Sequence, residues 1–500
     1  MIGLLEVLTP SSILFLFALL TVPVLSLLRR LKTRCRFLST VWMLTPFLFL
    51  GISIIHLYSQ YYGQVDAEPF VKIFWVEGQL SHLSSSFLVD AVSIYMSIVY
   101  FIVGLVSCIY AVVHIGFENE FSERYFALLF MVLGSVMAAT FSGDLLTLFI
   151  FWEACAAGSC FLIIYRRRPK SIEACLKYLV MIIIASGFIV YGLSMIYGLA
   201  GSLNFWTVRE VLMLLPDKRL LMIAFAFVAC GYAIETAVVP FHMWLPDAYT
   251  TAPSSSSAFL SAVVDQASYY VFMRVLVYIL TPPFILNWPF TLAVFSALTM
   301  TIGNLFALAQ DKIKRMISYV CIADIGYNLI GITSVEPLGV MGNLFFFFVG
   351  GVTTAVAFMT VGILNNLGIE RLKDFSGIGK KFPATGLALV LAVFSFSGIP
   401  PLAGFMAKYM VFTAAIEAGM TWLAVIGVLN SVLQTAYLMR LVHYMYAKQS
   451  RKKIVNKPSK AALVPVYMLV ALIVLLGLYP SLLLSVIYPA AQQLSLLVPS

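Results

Sequence analysis

The sequence predicts an all-α integral membrane protein of about fourteen transmembrane helices, and three observations carry that reading. Of the 500 residues, 62% are hydrophobic and only 11% charged, whereas a soluble domain sits nearer half apolar and a quarter charged. Apolar runs of about twenty residues recur from end to end, each long enough to cross a hydrocarbon layer of roughly 30 Å as a helix. The runs are continuous rather than alternating, which argues for helices and against a barrel.

In chain order the spans fall at roughly 10–28, 38–58, 86–115, 124–142, 145–165, 174–199, 218–241, 254–280, 287–309, 316–334, 339–363, 384–412, 420–447 and 461–480. The N-terminus lacks a basic region and a small-residue cleavage site, so the first run reads as a retained helix. Residues after 480 are apolar but interrupted by Pro489, and too short for a further spanning pair. The seven cysteines, Cys35, Cys108, Cys155, Cys160, Cys175, Cys230 and Cys321, are scattered without paired spacing or a histidine cluster. They read as packing residues rather than metal ligands or disulfides.

The connections assign an orientation. One side collects Arg29, Arg30, Lys32, Arg34 and Arg36, then Arg124, Arg166, Arg167, Arg168 and Lys170, then Lys312, Lys314 and Arg315. It also holds Arg371, Lys373, Lys380 and Lys381, and Lys448, Arg451, Lys452, Lys453, Lys457 and Lys460, twenty-three cations in all. The opposite side has four: Lys72, Arg209, Lys218 and Arg219. By the positive-inside rule the basic loops are cytoplasmic and both termini external. The formal charge of +9 is therefore topological, and no nucleic-acid partner is expected. No soluble domain, Gly-rich phosphate loop or dinucleotide fingerprint interrupts the membrane region. The external connections around Ser59–Ser84 and Gly201–Arg219 are short, so no cofactor, no metal and no catalytic residue is expected in this chain.

Two spans are broken alike. The seventh ends in Pro240 and Pro246, and the twelfth contains Gly398-Ile399-Pro400-Pro401. Paired Pro/Gly interruptions point to an inverted-repeat transporter whose freed backbone lines a cavity. An ionisable residue adjoins each break, Glu235 before the first and Lys408 after the second.

Ionisable groups within the bilayer are costly and mark ion pathways unless they reach an interface. Glu153 lies in the fifth span, as a translocation group or as half of a structural ion pair. Glu235 lies inside the seventh, where it either hydrogen-bonds freed backbone or faces Glu153. Two facing carboxylates cannot both ionise comfortably in a low dielectric, so such a pair shares a proton or collects a cation. Asp265 and Gln266 in the eighth span and Asp324 in the tenth suit a proton relay or sodium site, or else pin their helices. Lys408 sits centrally or snorkels from a helix end. Supporting candidates are His242 beside the first break and Lys177, which reaches either the interface or the fifth span. Arg274 and Arg440 read as snorkelling, Ser254–Ser257 as a helix start, and Asp90 and Asp144 as acids opening helices.

The stretches SFLVDAVSIYM, SGDLLTLFIFWEACAAGSCFLI, EACLKYLV, GLAGSLNF, VVPFHMWLPDAY, DKIKRMISYVCIADIGY and FSGIPPLAGFMAKYMVF resemble, in order, the antiporter-like family. That family comprises the large membrane subunits shared by Mrp-type Na+/H+ antiporters, respiratory complex I, and membrane-bound hydrogenases and related archaeal complexes. The resemblance implies fourteen helices and two inverted five-helix repeats, over residues 121–282 and 283–447. Three N-terminal helices (1–120) and a basic loop with a C-terminal helix (448–500) flank them. It also implies function as one subunit of a larger complex in the plasma membrane of a prokaryote.

Carried over residue by residue, the resemblance places the family's fifth-helix glutamate at Glu153 and its ionisable residue beyond the twelfth-helix break at Lys408. The helix 7 lysine position holds Glu235, and the helix 8 lysine position holds Gln266 beside Asp265. Asp324 stands where a histidine or glutamine is common, and Gly350 and Thr354 where a histidine and a lysine fall. Two readings follow. One is an ion-translocating subunit of an oxidoreductase-coupled pump or cation/proton antiporter, moving H+ or Na+ along an axis rebuilt from acids. The other is a non-conducting scaffold bridging an antiporter module and a redox module.

Overall fold

The computed structural model describes residues 3–30, 35–63, 71–74, 85–117, 121–217, 219–280, 288–334, 336–449 and 456–495. Lys32, Arg34, Lys218, Arg451, Lys452 and Lys453 from the orientation argument, and much of the Ser59–Ser84 connection, lie outside the described residues.

The chain begins with α1 (Leu4–Arg30) and α2 (Cys35–Tyr62), followed by the short antiparallel pair β1 (Val71–Phe74) and β2 (Ser86–Val89). Next come α3 (Ala91–Ile115), α4 (Ser122–Thr140), α5 (Leu145–Ile164), α6 (Pro169–Ala200) and the short α7 (Phe205–Leu214). A broken stretch then runs through α8 (Arg219–Glu235), α9 (Trp244–Thr251), α10 (Ser254–Phe259) and α11 (Asp265–Phe272). Beyond it lie α12 (Trp288–Leu308), α13 (Ile313–Ser334), α14 (Pro337–Asn365) and α15 (Ile378–Lys381). The chain closes with α16 (Pro383–Ser397), α17 (Ala403–Glu417), α18 (Thr421–Ala447), α19 (Lys460–Leu478) and α20 (Ser481–Ser495).

Eleven helices among the described residues are long and apolar enough to cross a membrane, so this is a multi-pass membrane protein. The seventh, eighth and twelfth expected spans are each built in pieces. The seventh divides into α8 and α9 around Val238–Pro240, with a cis Val239–Pro240 bond. The twelfth divides into α16 and α17 around a cis Pro400–Pro401 bond. The eighth, expected as one helix over 254–280, is instead interrupted by π-helical turns at Leu260–Val264 and Met273–Ile279, a device that re-aims side chains inside a helix.

Burial sets the layering. α13 and α14 are buried along their whole apolar length, whereas α1, α2 and α6 turn Leu19, Ile52, Ile55, Ile183 and Ile184 outward, as lipid-facing helices do. α12 and α13 approach backbone to backbone: a Cβ on Gly303 would strike the backbone of Ala323, and one on Gly326 the backbone of Met300. Small residues permit this approach, on which helix association in lipid depends.

Four expectations are corrected. The third helix begins at Ala91, because Ser86–Val89 pairs as a strand and Asp90 caps the helix, accepting from the Ser93 amide at 2.8 Å. The Gly201–Arg219 connection carries the helix α7. Cys160 and Cys175 are joined as a disulfide between α5 and α6, so those two are not merely packing residues. Arg274 does not snorkel: it is buried, and its guanidinium reaches both oxygens of buried Asp90 at 3.3 and 2.8 Å. An ion pair withdrawn from water persists only with such geometry and further hydrogen bonds, here one from Arg274 to the Tyr270 hydroxyl.

Candidate functional site

The break after α8 exists because Pro240 supplies no amide for a continuing helix. The freed backbone is taken up by a neighbour, with the Val239 amide donating to Thr299 Oγ1 of α12 at 3.2 Å. Glu235, the last residue of α8, is buried, and its Oε1 has no hydrogen-bond partner among the described residues. It therefore does not cap the break.

Glu235 instead faces a cavity of about 20 Å³ that it shares with Asp265, Trp152, Tyr178, Trp244 and Tyr249, room for roughly one water. Asp265 follows the first π-helical turn, and its carboxylate accepts from the Tyr249 hydroxyl of α9. Both acids thus look into one space from opposite sides of the broken stretch. Glu153 lies within electrostatic range of Glu235. It is half-buried between α5 and α6, where its Oε1 accepts from Ser186 at 2.7 Å.

A second centre lies beyond the twelfth-span break. Lys408 of α17 is buried and turns back toward α16, donating to the Phe396 carbonyl at 2.7 Å. It therefore caps backbone that the break has freed, rather than snorkelling. The same ammonium donates to Gln434 Oε1 at 2.6 Å and Ser431 at 3.1 Å, and lies 4.1 Å from the ring centre of Tyr327. Asp324 of α13 is buried nearby and interacts electrostatically with Lys408. No direct ion pair joins them among the described residues; Gln434, which accepts from Lys408, also acts on Asp324, and its buried amide nitrogen has no hydrogen-bond partner among those residues. Asn304 and Asn430 extend this polar region, linked at 3.2 Å, with Tyr437 donating to Asn304 at 3.0 Å.

Tyr269 of α11 feels both centres. It is buried, its hydroxyl has no partner among the described residues, and it lies within electrostatic range of both Asp265 and Asp324.

The structure thus brings Glu153, Glu235 and Asp265 into one group and Asp324 and Lys408 into another. Other candidates stand apart. Lys177 is exposed and pairs with Glu173 at 2.8 Å and Asp247 at 2.9 Å, so it does not approach Glu153. His242 is buried against Phe306, with neither ring nitrogen hydrogen-bonded among the described residues, and does not line the cavity. Gln266 donates to the Ser261 carbonyl across the π-helical turn at 3.3 Å, while its Oε1 is without a partner among the described residues. Pro240, Pro400 and Pro401 are exposed at the two breaks. Gly350 and Thr354 are buried in α14, the Thr354 hydroxyl donating to the Gly351 carbonyl at 3.0 Å.

Sequence reasoning missed Gln434, Tyr249 and Tyr269. Asn430, Ser431 and Gln434 share one face of α18 at helical spacing, a readable signal in an apolar span. The roles of Tyr249 and Tyr269 depend on the π-helical turns, which the sequence does not announce. Among the described residues, no group of three or more His, Cys, Asp or Glu could hold a metal ion.

A multi-pass helical bundle with two broken spans and a buried row of ionisable groups defines an ion-translocation type of membrane protein. Residues 142–434 match the family described as NADH:quinone oxidoreductase/Mrp antiporter, transmembrane, and the chain belongs to that family. It is 32% identical to the F(420)H(2) dehydrogenase subunit N of Methanosarcina mazei over 419 residues, covering 80% of this chain and 84% of that protein. It is also 32% identical to the NADH-quinone oxidoreductase subunit N of Trichlorobacter lovleyi over 380 residues, 75% of this chain and 78% of that protein. The fold matches a chain of the membrane-bound sulfane sulfur reductase, an archaeal respiratory membrane complex. The TM-score is 0.84 at 23% identity, over 97% of each chain.

Proposed function

We propose that the chain is the antiporter-like, ion-translocating membrane subunit of a multi-subunit respiratory complex in a prokaryotic plasma membrane. Its partners are other membrane subunits of that complex. The observation that carries this reading is the set of ionisable groups at depth: half-buried Glu153 with buried Glu235 and Asp265 in one group, buried Asp324 and Lys408 in the other, and buried Tyr269 within electrostatic range of both. Each charge placed at such depth costs about 3 kcal/mol of insertion free energy, a cost that packing alone does not require.

The transported ion is the proton. The space between Glu235 and Asp265 holds about one water, enough to carry a proton between two carboxyl groups. A sodium ion calls for a cage of several oxygens. In the cycle, Glu235 receives a proton from the Glu153 side and passes it through that water to Asp265. Tyr269 hands a proton on to Asp324 as its own hydroxyl is replenished from Asp265. Gln434 then couples the charge on Asp324 to Lys408, which releases a proton when Asp324 becomes neutral.

Eleven long apolar helices among the described residues, with the α8–α9, α10–α11 and α16–α17 pieces counted as three more, support fourteen spans, and the paired breaks of the seventh and twelfth spans support inverted repeats over 121–282 and 283–447. Residues 1–120 and 448–500 flank them. The twenty-three-to-four asymmetry of basic residues supports cytoplasmic basic loops. Any redox cofactor belongs to partner subunits.

The test is proton and isotopic sodium uptake by vesicles holding the assembled complex, comparing the parent with Asp324→Asn. Loss of proton uptake in an intact complex supports the reading. Parent-level coupling and uptake would favour a scaffold role instead, and loss of sodium uptake alone would assign the row to sodium.

A further inference from the structure

A second cavity lies at one end of the bundle, away from the buried row. It has a volume of about 380 Å³ and lies where the α5–α6 connection, the end of α9, the start of α13 and the stretch after α14 converge. Five cations line it, Arg166, Arg168, Lys170, Lys312 and Lys314, against one acid, Glu370. None of the five forms an ion pair among the described residues.

Lys314 is only 7% exposed, and its ammonium donates to the Ala252 carbonyl, a neutral group. Arg166 stands exposed at the rim, where partial desolvation of its guanidinium and the like charge of Arg168 hold it below its ordinary range. The buried Thr250 hydroxyl, also at this cavity, has no partner among the described residues. The opening turns of α6 and α13 supply Lys170 and Lys314, adding the positive ends of two helix dipoles. Arg166, Arg168, Lys170 and Lys312 are exposed around the buried Lys314, and like charges gathered about a buried cation raise the free energy of the fold unless an anion completes them.

We propose that this cavity binds a phosphate group, carried either by inorganic phosphate or by the headgroup of an anionic phospholipid, and that the bound group ties the first half of the bundle to the second. Guanidinium forks suit phosphate oxygens, and lysines add point charge. Basic pockets between transmembrane helices at the cytoplasmic level match anionic headgroups. Arg166, Arg168 and Lys170 come from one half of the chain, and Lys312 and Lys314 from the other, so a single anion bridges both.

The test uses the assembled complex in phosphatidylcholine nanodiscs, with thermal unfolding followed as inorganic phosphate is titrated against chloride at matched ionic strength. A parallel arm replaces part of the phosphatidylcholine with phosphatidylglycerol and detects retained lipid by native mass spectrometry. Stabilisation by phosphate, or retention of phosphatidylglycerol with stabilisation, supports the proposal and identifies the source. Arg168→Gln and Lys312→Gln, both at exposed side chains, should each weaken the effect about tenfold, and Lys312→Arg should restore it. Absence of stabilisation in both arms, or equal stabilisation of parent and variants, overturns the proposal.

Discussion

Lys408 and Gln434 are joined by a 2.6 Å hydrogen bond from Nζ to Oε1, and the amide nitrogen of Gln434 is buried without a hydrogen-bond partner among the described residues. The side chain is thus anchored at one end and open toward Asp324 at the other. Gln434→Leu removes the coupling while leaving Lys408 its bonds to Phe396 and Ser431. Vesicle proton uptake should fall about tenfold, equivalent to about 1.4 kcal/mol in the barrier, with the complex still assembled. An unchanged rate would remove Gln434 from the pathway.

Tyr269→Phe separates function from stability. A buried hydroxyl without a partner costs about 1–3 kcal/mol, so deleting it should leave thermal unfolding unchanged or raise its midpoint. Uptake should nonetheless drop severalfold, because Asp265 and Asp324 lose the hydroxyl between them. A destabilised variant would mean that the hydroxyl is satisfied in the assembled complex.

Asp90 and Arg274 form the buried ion pair that holds α3 against the end of the eighth span. Removing one partner leaves an uncompensated buried charge, at about 3–5 kcal/mol. Arg274→Gln alone should therefore markedly lower the unfolding midpoint in detergent. The double change Asp90→Asn with Arg274→Gln should recover much of the loss, since asparagine still accepts from the Ser93 amide. Additive losses would show that the two side chains act separately.

Gly404 tests the geometry of the second break. A Cβ there would fall on the Ser395 carbonyl oxygen, forcing α17 away from α16. Gly404→Ala should cost about 1–3 kcal/mol from overpacking and lower uptake, because Lys408 must reach the Phe396 carbonyl across that same contact. Parent-level stability in the detergent-solubilised complex would contradict the close approach.

How far this was legible in the sequence follows from the physics of each feature. The spans and both breaks could be read because hydropathy and Pro/Gly punctuation are local signals. Position inside apolar spans flagged Glu235, Asp265 and Asp324 as interior acids, and left Lys408 either central or snorkelling. Their grouping could not be read, because the cavity between Glu235 and Asp265 depends on π-helical turns that shift the eighth span's register. In the sequence alone Arg274 reads as snorkelling because its partner Asp90 lies 184 positions away. Lys177 is ambiguous for the same reason, since its partner Asp247 lies on the far side of the first break.

In the proposed cycle Glu235 carries the transported proton between Glu153 and Asp265. The most direct test is proton uptake by vesicles containing the assembled complex with Glu235→Gln, driven by the complex's own electron donor. Uptake should fall at least tenfold with subunit composition and unfolding midpoint unchanged. Uptake and coupling at the parent level would contradict it.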